Sequence, residues 1–167
     1  MNAYLSAVNQ KLYFSKLLLG QIQPEHNCTA QLKEALCQSV LHQLICAYRH
    51  YLREIATTYQ FKSPESISVI EHLSSCLASI NKHPGEAQEI ANLEANPDSW
   101  LYQLLSVYRQ SLELPQQEAT IIESSPIAVM QVDQQVDCIS LGYDQLIIWY
   151  ENFQEMVDRH RSLMIEC

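Results

Sequence analysis

Glycine is almost missing from this sequence. Three occur in 167 residues, at Gly20, Gly85 and Gly142, each far from the others. Phosphate loops, dinucleotide-binding turns and nucleophile elbows need two or more glycines at close fixed spacing, so none of these can be built. Proline is sparse too, at six residues, and long stretches contain neither breaker. Combined with 47% hydrophobic residues, that pattern favours helices over a turn-rich β fold.

Long apolar runs are also lacking. Segments such as LIIW at 146–149 are a handful of residues long, against the ~20 needed to cross a bilayer, so no membrane span is expected. The opening MNAYLSAVNQKLYFSKLLLG interrupts its apolar positions with polar residues, Lys11 and Lys16, which an export signal does not do. Six cysteines, at 28, 37, 46, 76, 138 and 167, show no Cys-x-x-Cys spacing. They read as reduced thiols that pack as small hydrophobes, which points to the cytoplasm. No acidic residue is followed three positions later by histidine, the spacing a di-metal carboxylate bundle requires. The spacing of arginine, four to six residues, then histidine, found in some helical ribonucleases, is missing from all five arginines. No cofactor is expected.

Positive charge is scarce overall. The net charge of −9 disfavours nucleic acid, whose phosphates reward concentrated lysine and arginine. The deficit is uneven: residues 1–62 carry +3, with six basic residues against three acids, while residues 63–167 carry −12. Such asymmetry can orient helices or subunits, although single exposed pairs add little stability.

What the sequence does contain is helical spacing. Leu5, Val8, Leu12, Ser15, Leu19 and Ile22 alternate steps of three and four, placing one seam along a first helix that ends between Gly20 and Pro24. A second helix runs from about Asn27–Thr29 to about Tyr59 on the ladder Leu32, Leu36, Val40, Leu44, Tyr48 and Leu52. Each step of four drifts ~40° around the axis, so this helix should touch several neighbours. KSPES, with Ser63 and Pro64, predicts the start of a third helix whose seam is Ile67, Ile70, Leu73, Leu77 and Ile80. A short helix follows through Ile90 and Leu93. NPDSW, with Asn96 and Pro97, opens another carrying Leu101, Leu104, Leu105, Tyr108 and Leu112.

Residues 115–137 break the pattern, with prolines, glutamines and short apolar clusters. They predict a long irregular connection, either a partner-binding segment or a crossover packed on the bundle. The last helix has the clearest seam: Tyr143, Leu146, Tyr150, Phe153, Val157, His160 and Met164. His160 stands where an aliphatic residue belongs. It reads either as a core histidine bonded to a carbonyl or tyrosine, or as a pH-sensitive group or base in a pocket with Tyr48, Tyr51, Trp149 and Tyr150.

LHQLICAYRHYLRE, residues 41–54, places His42, Cys46 and His50 four residues apart. On a helical wheel these three, with Arg49 and Arg53, fall about 80–180° from Leu41, away from a core direction near 340°. They predict the solvent face of the second helix. His42 and His50 are about 12 Å apart along the axis, too far for one tetrahedral metal site, so no metal is expected and the three are weak candidates.

The run Asn-Gln-Lys-Leu-Tyr-Phe in NQKLYFSKLLL, and the aromatic C-terminal WYENFQEMVDRHRSLMIEC with Arg159, Arg161 and Met164, resemble a family of small gammaproteobacterial proteins classed as a domain of unknown function. The resemblance covers the chain end to end. It implies a bacterial helical protein and transfers no activity, site or cofactor.

The reading is all-α: an antiparallel helical bundle of five to six helices, four of them long, forming a single domain over residues 1–167 with the 115–137 connection before the last helix. The function expected is a non-enzymatic binding or assembly module. Its partner is an unidentified protein or a second copy of the chain, a homodimer, with no nucleic acid and no membrane. The alternative is a small-ligand binder or enzyme with a pocket near His160 and the tyrosines of the second helix.

Overall fold

The computed structural model describes residues 2–23, 28–113 and 141–164. Among these residues it forms six helices and no strand: α1 (Ala3–Ile22), α2 (Ala30–Thr58), α3 (Ile70–Ser79), α4 (Gly85–Ala95), α5 (Trp100–Ser111) and α6 (Tyr143–Met164). The expected all-α bundle is the fold. Three helices are long, at 20, 29 and 22 residues, where four were expected; α3, α4 and α5 have 10 to 12. The connection expected at 115–137 lies outside the described residues.

Asn2 caps α1, its side-chain oxygen accepting from the Tyr4 amide at 3.1 Å. The α1 seam buries Val8, Leu12, Ser15, Leu19 and Ile22 as spaced, and Ser15 satisfies its hydroxyl by donating to the Lys11 carbonyl at 3.0 Å. Leu5 remains exposed. The chain returns antiparallel in α2, so that Asn2 reaches the Glu54 carbonyl at 3.4 Å and the Tyr4 ring lies 6.3 Å from that of His50.

Thr29 caps α2 by accepting from Leu32 at 3.3 Å. Leu32 itself is exposed, and burial begins in earnest at Cys37. From there α2 buries residues around much of its circumference, because it packs on α1, α3, α5, α6 and the turn after its own end. It is the central helix of the bundle. The rotating apolar face predicted this multiplicity of neighbours.

Two start signals act differently from expectation. Ser63 and Pro64 open a single 3-10 turn, Pro64–Ser66, after which the chain extends and buries Ile67 before α3 begins at Ile70. At NPDSW the cap is Ser99: its hydroxyl accepts from the Tyr102 amide at 3.0 Å and donates to the Leu93 carbonyl, while Asn96 folds an Asx turn onto the Asp98 amide at 3.1 Å. Pro97 therefore precedes the helix. Helix α3 ends at Ser79, three residues after Cys76, where Asn81 takes a left-handed φ of 55° ahead of Pro84.

Helix α6 buries Leu146, Trp149, Phe153, Met156, Val157 and His160. Phe153 meets Tyr51 edge-on at 6.1 Å and Trp100 at 5.9 Å, joining α2, α5 and α6 in one aromatic core. Tyr143 and Tyr150, expected in the seam, are half-buried at its margin.

Candidate functional site

Two polar constellations stand out, and they differ in kind. The first is a clasp at the C-terminal end of α6, built by three consecutive residues. Arg161 donates to both Glu54 carboxylate oxygens, at 2.8 Å each, and to Asn9 at 2.7 Å, so it ties α6 to α2 and α1. Glu54 is only 2% exposed, and the bidentate guanidinium is what makes a carboxylate tolerable there. Arg159 makes the matching fork onto Glu89 of α4, at 2.7 and 2.9 Å, and also bonds Glu155 at 2.9 Å.

His160 lies between these arginines, 1% exposed. Its Nδ1 is 2.7 Å from the Tyr51 hydroxyl and its Nε2 is 2.9 Å from a Glu89 carboxylate oxygen. A carboxylate only accepts, so Nε2–H donates to Glu89; in the neutral ring Nδ1 then accepts from Tyr51. Burial pushes the Tyr51 phenol well above its ordinary range, which keeps its proton for that bond. The hydrogen bond from Arg159, with a second from His160, holds the Glu89 carboxyl at about 2. Every polar end in the clasp has a partner. It resembles an acid–base relay in composition, but both ring nitrogens are occupied, and neither His160 nor Tyr51 lines any of the four cavities found among the described residues.

The second constellation is open. A cleft of about 750 Å³ lies between α2, α3, α4 and α5. Its apolar wall comes from Ile45, Val69, Ile70, Ala91, Leu105 and Leu112. Tyr48 at its floor donates to Glu94, and burial raises both groups above their ordinary ranges. Arg49 and Arg109 stand at its rim, the Arg49 guanidinium 5.8 Å from the Tyr108 ring centre. Its volume is that of small-ligand sites, which span roughly 300–1,000 Å³ with apolar walls and a few polar groups.

The residues proposed around one pocket are thus distributed. Tyr51 and His160 meet each other in the clasp. Tyr48 opens on the cleft, Trp149 lines a separate cavity of about 490 Å³ against α5, and Tyr150 lines one of about 250 Å³ between α1 and α6. Glu54, Glu89 and Glu94 carried no sequence signal that separated them from solvated glutamates.

The solvent-face reading of 41–54 is right for His42 and Arg49 and is corrected at three positions. His50 is half-buried under Tyr4 of α1; burial first, and then the charges of Arg53 and Lys11, lower its pKa. Arg53 is half-buried and donates to the Ile67 carbonyl at 2.9 Å. Cys46 is half-buried, 3.4 Å from the His42 ring nitrogen. Among the described residues no group of three or more His, Cys, Asp or Glu is placed to hold a metal ion. Cys28, Cys37, Cys46 and Cys76 are free thiols; Cys138 and Cys167 lie outside the described residues. Among the described residues no helix is long and apolar enough to cross a membrane.

A family model spanning residues 1–167 matches this sequence and is described as a family of unknown function, DUF6586. The chain belongs to that family. No curated protein and no solved structure was found to match it. Membership of DUF6586 assigns no activity, so the geometry of the cleft and the clasp carries the functional argument.

Proposed function

We propose that this chain is a non-enzymatic binding module, cytoplasmic and of gammaproteobacterial origin, that takes a small ligand in the cleft between α2 and α5. The observation that carries the reading is the cleft itself: about 750 Å³, walled by aliphatic side chains and edged by polar groups that the fold leaves with spare capacity. The catalytic alternative centred on His160 is weaker, since both of its nitrogens are bonded and its ring lines none of the four cavities, so it has no free lone pair facing a substrate. The acidic balance favours a ligand other than nucleic acid. The four free thiols among the described residues support the compartment, and the end-to-end family resemblance supports the origin.

Ser75 is exposed and lines the cleft, so Ser75→Trp should fill the mouth without disturbing the core. Native mass spectrometry of protein purified from its host without denaturation should show a small-molecule adduct on the wild type that Ser75→Trp lacks. An adduct retained in full by Ser75→Trp would place the ligand elsewhere.

A second reading rests on a separate observation. The outer face of α1 exposes Tyr13 and Leu17, at 58% and 49%, and α1 contains two lysines and no acid. Beside it, α6 turns Glu151, Glu155 and Asp158 to solvent. A second copy related by a two-fold axis parallel to these helices would set each α1 on the partner copy's α6, matching basic to acidic. Sedimentation of the wild type as a dimer and of Leu17→Glu as a monomer would support it; a wild-type monomer at high concentration would end it.

A further inference from the structure

The cleft's charged groups are not equivalent, and the difference points to a ligand class. Glu94 already receives the Tyr48 hydroxyl, and its burial works against the ionised form. Part of its demand for a cation is removed. Arg49 and Arg109 are in the opposite condition. Both are exposed at the rim, and among the described residues neither has a carboxylate in direct contact, although the charge of Arg109 reaches Glu94 across the cleft; Arg109 donates from Nε to its own helix at the Leu105 carbonyl, 3.3 Å away. Arg49 rests on Tyr108, whose ring also lies 6.4 Å from that of His42. The terminal amino groups of the two guanidiniums thus have no acceptor among the described residues and stand beside an aliphatic cleft.

By contrast, the chain's other forked arginines, Arg159 and Arg161, each hold a carboxylate bidentately. We infer that the cleft binds an amphipathic carboxylate, its apolar chain along Ile45, Ala91 and Leu105 and its head on Arg49 and Arg109. Burial of the chain supplies affinity, and the guanidiniums fix its direction. The solvent-facing part of LHQLICAYRHYLRE, with Arg49 and His42 around Tyr108, is then the rim of a site and not an idle polar face. Glu71 and Glu94, which line the same cleft and whose charges act on each other, would repel a head group placed beside them.

This inference rests on the cleft reading above, and three probes with one eight-carbon chain separate the two: octanoate, 1-octanol and octylamine, each titrated into the full chain by calorimetry. Octanoate should bind most tightly. Arg49→Ala or Arg109→Ala should weaken octanoate by about tenfold, the loss of one charge-assisted contact, and leave octanol unchanged, which also reports that the variant is folded. Octanol or octylamine binding as tightly as octanoate would overturn the anion assignment and keep the cleft. If none of the three bound, both readings would fall together.

Discussion

Glu89 and Glu94 stand on the same short helix and have opposite surroundings. Glu89 is gripped by Arg159 and His160, and its carboxyl is held at about 2; burial in the cleft wall pushes Glu94 above its ordinary range, against the hydrogen bond it accepts from Tyr48. The contrast separates structure from binding capacity. Where each donor has found an acceptor, as in the Arg159–His160–Arg161 clasp, the arrangement is closed and holds α6 on α1, α2 and α4. Where cations stand at the rim of an apolar hollow without a carboxylate in direct contact, as at Arg49 and Arg109, there is room and reason for a ligand. Polar density alone would have favoured the clasp as the active region. Unfilled bonding capacity favours the cleft.

The sharpest test of that contrast is a pair of arginine truncations. Arg161→Ala leaves the Glu54 carboxylate buried and unpaired, which should cost about 3–5 kcal/mol in urea denaturation, whereas Arg49→Ala at the cleft rim should stay within about 0.5 kcal/mol. Equal costs would mean that the clasp is not what holds α6. A smaller loss, about 1–3 kcal/mol, is expected for His160→Ala, because the buried Tyr51 hydroxyl loses its partner. Loss of binding in that variant while the melt is unchanged would return His160 to the functional list.

Acid titration gives a finer comparison. Since the folded-state value of Glu89 lies below its ordinary 4.5, its contribution to stability is fully present above that pH and is lost as pH falls towards about 2. Glu89→Gln should flatten this part of the melting-temperature profile. The sign reverses for Glu94, whose raised value makes the folded protein hold its proton longer, so its ionisation weakens stability as pH climbs past the ordinary carboxyl range. Glu94→Gln should therefore raise stability relative to wild type at neutral pH, by less than the clasp variants lower it. A drop on that substitution would contradict the assigned environment.

How far the fold could be read from the sequence depended on how many neighbours each helix has. The α1 seam is legible down to Ser15, because α1 packs chiefly on one side and a period of three and four describes one side well. Helix α2 defeats a single wheel. Glu54 and His50 lie outside its strongest apolar arc, yet α6 covers the first and α1 the second. In α6 the seam names Phe153 and His160, while the burial of Trp149 and Met156 widens it to the face toward the rest of the bundle. Of the cleft the sequence singled out Tyr48 alone: Glu94 and Arg109 are far from it in sequence, and only the packing of α3, α4 and α5 around α2 brings them together. The histidine was noticed because it interrupts an apolar pattern, whereas a glutamate on a helix surface interrupts nothing.

The claim that the cleft and not the clasp is the binding region is tested most directly by NMR titration of ¹⁵N-labelled full chain with 1-octanol. Backbone amide shifts should gather at Ile45, Tyr48, Ser68–Ser75, Ala91–Ala95 and Tyr102–Leu112, with Tyr51, Glu54, Glu89 and His160 unmoved. Shifts centred instead on Tyr51, Glu89 and His160 would contradict the account.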